Sequence, residues 1–207
     1  MAESIDSPFI TCIAEAAREN KIYVICGTLE TKNNDRKCAY NTTVFIDRYG
    51  QILHTYRKHH LFDTLNEKEF DTIISRENQF QVVNTEFGNI GLMACYELMF
   101  PEISRQLVMQ EADILFVPAG WFAGALKEAH WEILIRARAI ENTVFVCGSN
   151  LVGNIFFGRS MIVDPMGVIT ASGGEEETLI LSNIDLKRIH RVREKLPSVL
   201  TLILNLM

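Results

Sequence analysis

Five cysteines offer the first places to look for chemistry in this 207-residue chain: Cys12, Cys26, Cys38, Cys95 and Cys147. None forms a CxxC pair and the number is odd, so the spacing suggests neither a zinc site nor a disulfide framework. Cys95 stands apart from the rest. A strand-like run, Ile90–Ala94, ends at it, and a helix is predicted over Pro101–Glu111. Ligands of α/β folds bind beyond the carboxyl ends of strands, and backbone N–H groups at such a turn favour a thiolate nucleophile. Cys12, Cys26 and Cys147 sit on apolar faces or inside strands and read as small core residues. Cys38, in a polar loop, reads as an incidental thiol.

Around that nucleophile the sequence offers few partners. Lys58 closes a strand and opens the run KHHLFD. A lysine near a thiolate would lower the thiol's proton affinity and stabilise an oxyanion, although a solvated lysine at a strand end is the plainer reading. His59 and His60 invite a Cys–His dyad, but strand alternation would turn adjacent residues to opposite faces. Glu67 and Glu69 lie in a loop, where carboxylates usually face solvent. Glu97 is placed to face either the site or a helix terminus. Trp121, after Pro118-Ala119-Gly120, falls at another strand end.

The elements that must position these groups are mixed. Residues 4–20 carry apolar side chains at helical spacing, with Asp6 or Ser7 as cap and Pro8 in the first turn. Residues 22–30 read as a buried strand, and 41–58 as a hairpin about Arg48-Tyr49-Gly50. Residues 79–97 repeat the hairpin pattern, with a turn near Gly88-Asn89. A strand over 114–120, a helix over 127–142 and three strand-rich pieces at 144–153, 160–172 and 178–186 complete the chain. Helices alternating with strands imply an α/β layered domain.

Composition narrows the function classes. Hydrophobic residues make up 48% and the net charge is −6, with no basic block, which argues against nucleic acid as partner. The start MAESIDSPF lacks the pattern of a signal peptide, and the apolar tail 199–207 is shorter than a membrane span. Unpaired cysteines fit a reducing, cytoplasmic setting.

Four stretches occur in one order: YRKHHLFD (56–63), GNIGLMACYELMFPE (88–102), HWEILIRARAIEN (130–142) and GRSMIVDPMG (158–167). Together they resemble the carbon–nitrogen hydrolase, or nitrilase, superfamily, from the first helix to Pro197. The resemblance implies an α-β-β-α sandwich and one hydrolase domain over 1–207. It implies cleavage of a small amide-type substrate through a cysteine thioester, no cofactor and a homodimer. Residue by residue, it implies Cys95 as nucleophile, Lys58 as the triad lysine and Glu69 as the glutamate that steadies it. Tyr96, through its backbone N–H, would help hold the oxyanion. Trp121 and His60 would lie by the substrate.

The base is where the sequence departs from the family. It is expected as a glutamate of a Pro-Glu pair in an earlier strand, but Pro101-Glu102 lies downstream of Cys95, and Glu3 has no strand to hold it. The first strand–helix–strand unit is therefore expected to be lacking, and TLILNLM departs from the family's usual C-terminal continuation. Met99 stands where many relatives carry arginine, which bears on the substrate subclass. The alternative to an active amidase is a non-catalytic remnant of the same fold acting as an interaction protein. A Cys–His hydrolase of unrelated fold is the third reading.

Overall fold

The computed structural model describes residues 2–32, 35–63, 69–75, 80–153 and 155–206. They fall into two compact units, Met1–Gln79 and Phe80–Met207.

In the first unit, helix α1 (Pro8–Asn20) starts at Ser7, whose side chain accepts from the Ile10 N–H, and ends at Lys21 in the left-handed region. Pro8 in the first turn loses no hydrogen bond there and arrives with its φ already helical. The helix buries Ile10 and Ala17 with Val44 and Ile46. These last two belong to an antiparallel sheet of β1 (Val24–Lys32), β2 (Asp35–Ile46) and β3 (Ile52–Arg57), in that order. The expected hairpin turn forms: the Asp47 carboxylate accepts from the N–H groups of Tyr49 and Gln51, both at 2.8 Å. Gly50 completes the turn at φ 79, where a Cβ would come within 2.6 Å of the Ala14 carbonyl oxygen.

Several expectations for this unit need correction. Cys12 is exposed and faces away from the apolar side of α1. Cys38 lies within β2, which begins several residues before the predicted hairpin. β1 is mostly half-buried, an outer strand of its three-stranded sheet. Glu3 is held after all: its backbone bridges Glu30, with bonds of 2.9 Å to Leu29 and from Thr31, while its side chain is exposed.

The second unit is built on six strands. They are β4 (Val82–Thr85), β5 (Gly88–Leu92), β6 (Ile114–Ala119), β7 (Phe145–Asn150), β10 (Met161–Val163) and β11 (Ile169–Ser172); β8 (Val152–Gly153) and β9 (Phe156–Phe157) form a separate short ladder. The sheet order is β11-β10-β7-β6-β5-β4. β5, β6 and β7 run parallel. Parallel neighbours need a crossover, and helices α2 (Pro101–Met109) and α3 (Lys127–Asn142) provide the two. Helices α4 (Lys187–Lys195) and α5 (Ser198–Leu206) follow the sheet. Met93, Leu107, Leu115, Val117, Trp131, Ile135 and Val146 form the main core.

The turn before β5 falls at Glu86-Phe87, just ahead of the predicted position. Residues 178–186 depart further from expectation, since among the described residues they join no sheet. The strand alternation survives: Leu179 and Leu181 are 82% and 78% exposed, while Ile180, Ser182 and Ile184 are half-buried. Side-chain pattern records which face meets the core, and a strand also needs a neighbouring backbone to pair with. No helix among the described residues is long and apolar enough to cross a membrane.

Gly148 of β7 passes directly under α3. A Cβ there would lie 2.3 Å from Ile135 Cδ1 and 2.7 Å from Trp131 Cζ2, both fully buried. Gly148→Ala is expected to lower stability by about 1–3 kcal/mol through overpacking, read as a shifted urea midpoint with unchanged slope.

Candidate active site

The parallel strands bring three side-chain positions together at their carboxyl ends. β5 leads through Met93 and Ala94 to Cys95, β6 to Gly120 and Trp121, and β7 ends at Asn150. Cys95 opens a 3-10 turn, Cys95–Met99, with φ at 49°. A side chain in this left-handed region costs about 1 kcal/mol or more, so the neighbourhood must enforce it. Two anchors do so. The Glu97 carboxylate, fully buried, accepts from the Ala94 N–H at 2.8 Å, while the Glu97 N–H donates to the Ala94 carbonyl at 3.1 Å. Arg138 of α3, 4% exposed, donates through Nε and Nη2 to the Leu98 carbonyl at 3.1 and 2.8 Å. Glu97 thus faces the helix terminus, the second of its two expected roles.

The Cys95 thiol donates to the Gly120 carbonyl, Sγ to O being 3.7 Å. Across the same peptide unit, the Trp121 N–H donates to Asn150 Oδ1 at 2.7 Å. Asn150 Nδ2 in turn donates to the Gly158 carbonyl at 2.8 Å. The Trp121 ring packs 5.4 Å from Trp131, and its Nε1 is a buried donor with no hydrogen-bond partner among the described residues. Such an orphan requires an explanation, and a group supplied by a ligand is one. Tyr96 sits in the 3-10 turn with its ring edge-on to Phe100, centroids 5.4 Å apart.

Lys58, Glu69 and His60 belong to the first unit. Lys58 follows β3 directly and its side chain is only 1% exposed, which overturns the solvated reading. Its Nζ meets Glu69 Oε2 at 2.6 Å; that oxygen also accepts the Phe62 N–H at 2.6 Å, and Glu69 Oε1 accepts from Asn41 at 3.3 Å. Glu69 is no free loop carboxylate, because a 3-10 turn, Glu69–Asp71, turns it onto the lysine. Glu67 lies outside the described residues. His59 and His60 lie beyond β3, so strand alternation does not govern them, and their rings meet edge-on at 4.5 Å.

The other cysteines differ from Cys95 in setting. Burial pushes the Cys147 thiol up to about 12 and raises that of Cys26. Both stay protonated near neutrality and are poor nucleophiles. Glu102 is an exposed residue in the first turn of α2. Among the described residues, no three His, Cys, Asp or Glu side chains group to hold a metal ion. Gly120 as acceptor carries no mark in the sequence. Asn150 is equally unmarked, although an amide ending a parallel strand two places from the strand that leads to Cys95 is a signal to look for.

Two measurements check this description. Removing Glu69 leaves a buried ammonium without its carboxylate, so Glu69→Ala is expected to cost about 2–4 kcal/mol in chemical unfolding. Adding Lys58→Met to that variant should restore much of the loss. In the folded chain at pH 8, Cys147 is expected to resist thiol reagents and to react once urea unfolds the protein.

Comparison with known proteins identifies the family. Residues 1–194 match the carbon-nitrogen hydrolase family. The 2-oxoglutaramate amidase of Bacillus subtilis is 35% identical over 189 residues, covering 89% of this chain and 70% of that protein. The deaminated glutathione amidase of a Synechocystis strain is 40% identical over 172 residues, covering 78% of this chain; the match spans 63% of the relative's length. The crystal structure of the Caenorhabditis elegans NitFhit protein superposes with a TM-score of 0.87 at 31% identity, over 93% of this chain and 49% of that one. The mixed α/β fold is thus that of the nitrilase superfamily, and the chain belongs to the carbon–nitrogen hydrolase family.

Proposed function

We propose that this chain hydrolyses the carbon–nitrogen bond of a small amide, with Cys95 as nucleophile. The observation that carries the reading is Cys95 itself: a thiol held at φ 49, where three parallel strands end, with its sulfur hydrogen-bonded to Gly120. An amide carbon is a weak electrophile, so a covalent route divides one hard step into two. Cys95 Sγ adds to the carbonyl carbon and its proton passes to a base, which in the family is a glutamate of an earlier strand and has no counterpart among the residues assigned to this site. The C–N bond then breaks and the amine leaves with that proton, giving a thioester. Water, activated by the same base, adds to the thioester and returns the free thiol and a carboxylic acid.

By the family resemblance, Lys58, held by Glu69, is assigned as the cation for the oxyanion and the Tyr96 N–H as the second oxyanion donor. Trp121 and His60 line the substrate; the unpartnered Trp121 Nε1 supports the former. The amidases of B. subtilis and Synechocystis suggest short amides of the 2-oxoglutaramate kind as the first substrates to try. Residues 1–207 act as one hydrolase domain, supported by a family match that runs through both compact units. The cysteines all being free fits a cytoplasmic setting. A homodimer is proposed from the family resemblance alone.

Purified protein is expected to release ammonia from 2-oxoglutaramate or a related short amide, and Cys95→Ala should abolish the release. Turnover surviving in Cys95→Ala overturns the assignment. A folded but inert wild-type chain across a panel of short amides would favour a non-catalytic role.

A further inference from the structure

We propose that Asn150 is a positioning residue that sets the protonation and aim of Cys95 through the Gly120–Trp121 peptide. The inference rests on Cys95 as nucleophile and deepens that reading. A trans peptide unit is planar, with its C=O and N–H pointing in opposite directions. The Gly120–Trp121 unit is tied at both ends: its oxygen accepts the Cys95 thiol at 3.7 Å, and its N–H donates to Asn150 Oδ1 at 2.7 Å. Rotating the plane to break one bond breaks the other. Whatever fixes the N–H therefore aims the carbonyl.

Asn150 is built to do that. It is 7% exposed and ends β7 in parallel register with Ala119. Its amide has one workable orientation, because Oδ1 faces the Trp121 donor and Nδ2 faces the Gly158 acceptor at 2.8 Å. Its backbone N–H is held separately by Ser160 Oγ at 3.0 Å. Gly120 has little freedom to compensate, since a Cβ at that position would already lie 3.0 Å from the Phe156 ring.

The consequence is chemical. A carbonyl oxygen can accept from a thiol but offers nothing to a thiolate, so this bond favours the protonated form. Cys95 is kept as a thiol at rest and pointed along one line until a base removes the proton. Without Asn150 the peptide plane is released, and the thiol loses both the restraint and the acceptor.

The test reads Cys95 directly, by the pH dependence of its alkylation with iodoacetamide, followed by peptide mass analysis. Asn150→Ala and the near-isosteric Asn150→Leu both remove the acceptor for the Trp121 N–H. In each folded variant the alkylation profile should move to lower pH, with the rate at pH 7 rising about three- to fivefold, the equivalent of one modest hydrogen bond. Amide turnover should fall in the same variants. Ser160→Ala, which loosens the Asn150 backbone but leaves Oδ1 in place, should leave the profile where it was. An unmoved profile in folded Asn150 variants, an equal shift in Ser160→Ala, or unfolding of both Asn150 variants would overturn the proposal, the last by showing a purely structural anchor. Because alkylation needs no turnover, failure here remains distinguishable from failure of the amidase assignment, which Cys95→Ala tests separately.

Discussion

The parallel pairing of β5, β6 and β7 is the constraint from which the candidate site follows. Parallel neighbours cannot be joined by a tight turn, so each strand must release its chain at one end of the sheet and recover it through a helix. Three chain departures are thereby gathered side by side. At such ends the backbone leaves the ladder and its polar groups become available. Cys95, Gly120 and Asn150 use that freedom, donating, accepting and bridging within one small cluster. The same crossovers bring α3 over the sheet, where Trp131 and Ile135 seal the core and Arg138 ties down the turn that carries Cys95.

In the first unit a different problem is solved by similar means. An ammonium removed from water is costly unless paired and hydrogen-bonded, and Lys58 is nearly inaccessible. Its partner carboxylate is held in turn by a backbone N–H and by the Asn41 side chain. Burying a lysine this thoroughly serves little purpose for stability, since an apolar residue of similar volume would pack as well. The arrangement is better understood as positioning a charge, which fits the chemistry of the family.

The elements that the sequence made legible are those whose signal is local. α3 occupies 127–142, because its apolar stripe is written in adjacent residues. The turn about Arg48-Tyr49-Gly50 is read in the same way, as is a cap at Asp6 or Ser7, which falls on Ser7. Cys95 and Lys58 stand out by their places at strand ends, and their proposed roles, like that of Glu69, come from the motif resemblance; for Lys58 and Glu69 the fold adds burial and mutual contact. What stayed hidden depends on distant partners. Residues 178–186 have the composition and alternation of a strand, yet pairing is decided by a second backbone that their own sequence does not specify. Cys12 and Cys38 were misplaced because a helix face and a strand's start are both set by packing. The clamp on the Gly120–Trp121 peptide joins residues about thirty positions apart through main-chain groups, which carry no sequence signature.

The left-handed backbone at Cys95 has a consequence for how this position can change. Glycine would relieve about 1 kcal/mol of conformational strain there, whereas β-branched residues would add to it. The route of greatest thermodynamic gain at position 95 therefore runs directly through loss of the sulfur. A lineage drifting under pressure for stability alone would be drawn toward glycine, and one selected for turnover must resist that pull. With Cys95 as the proposed nucleophile, fitness for folding and fitness for reaction are opposed at this one position.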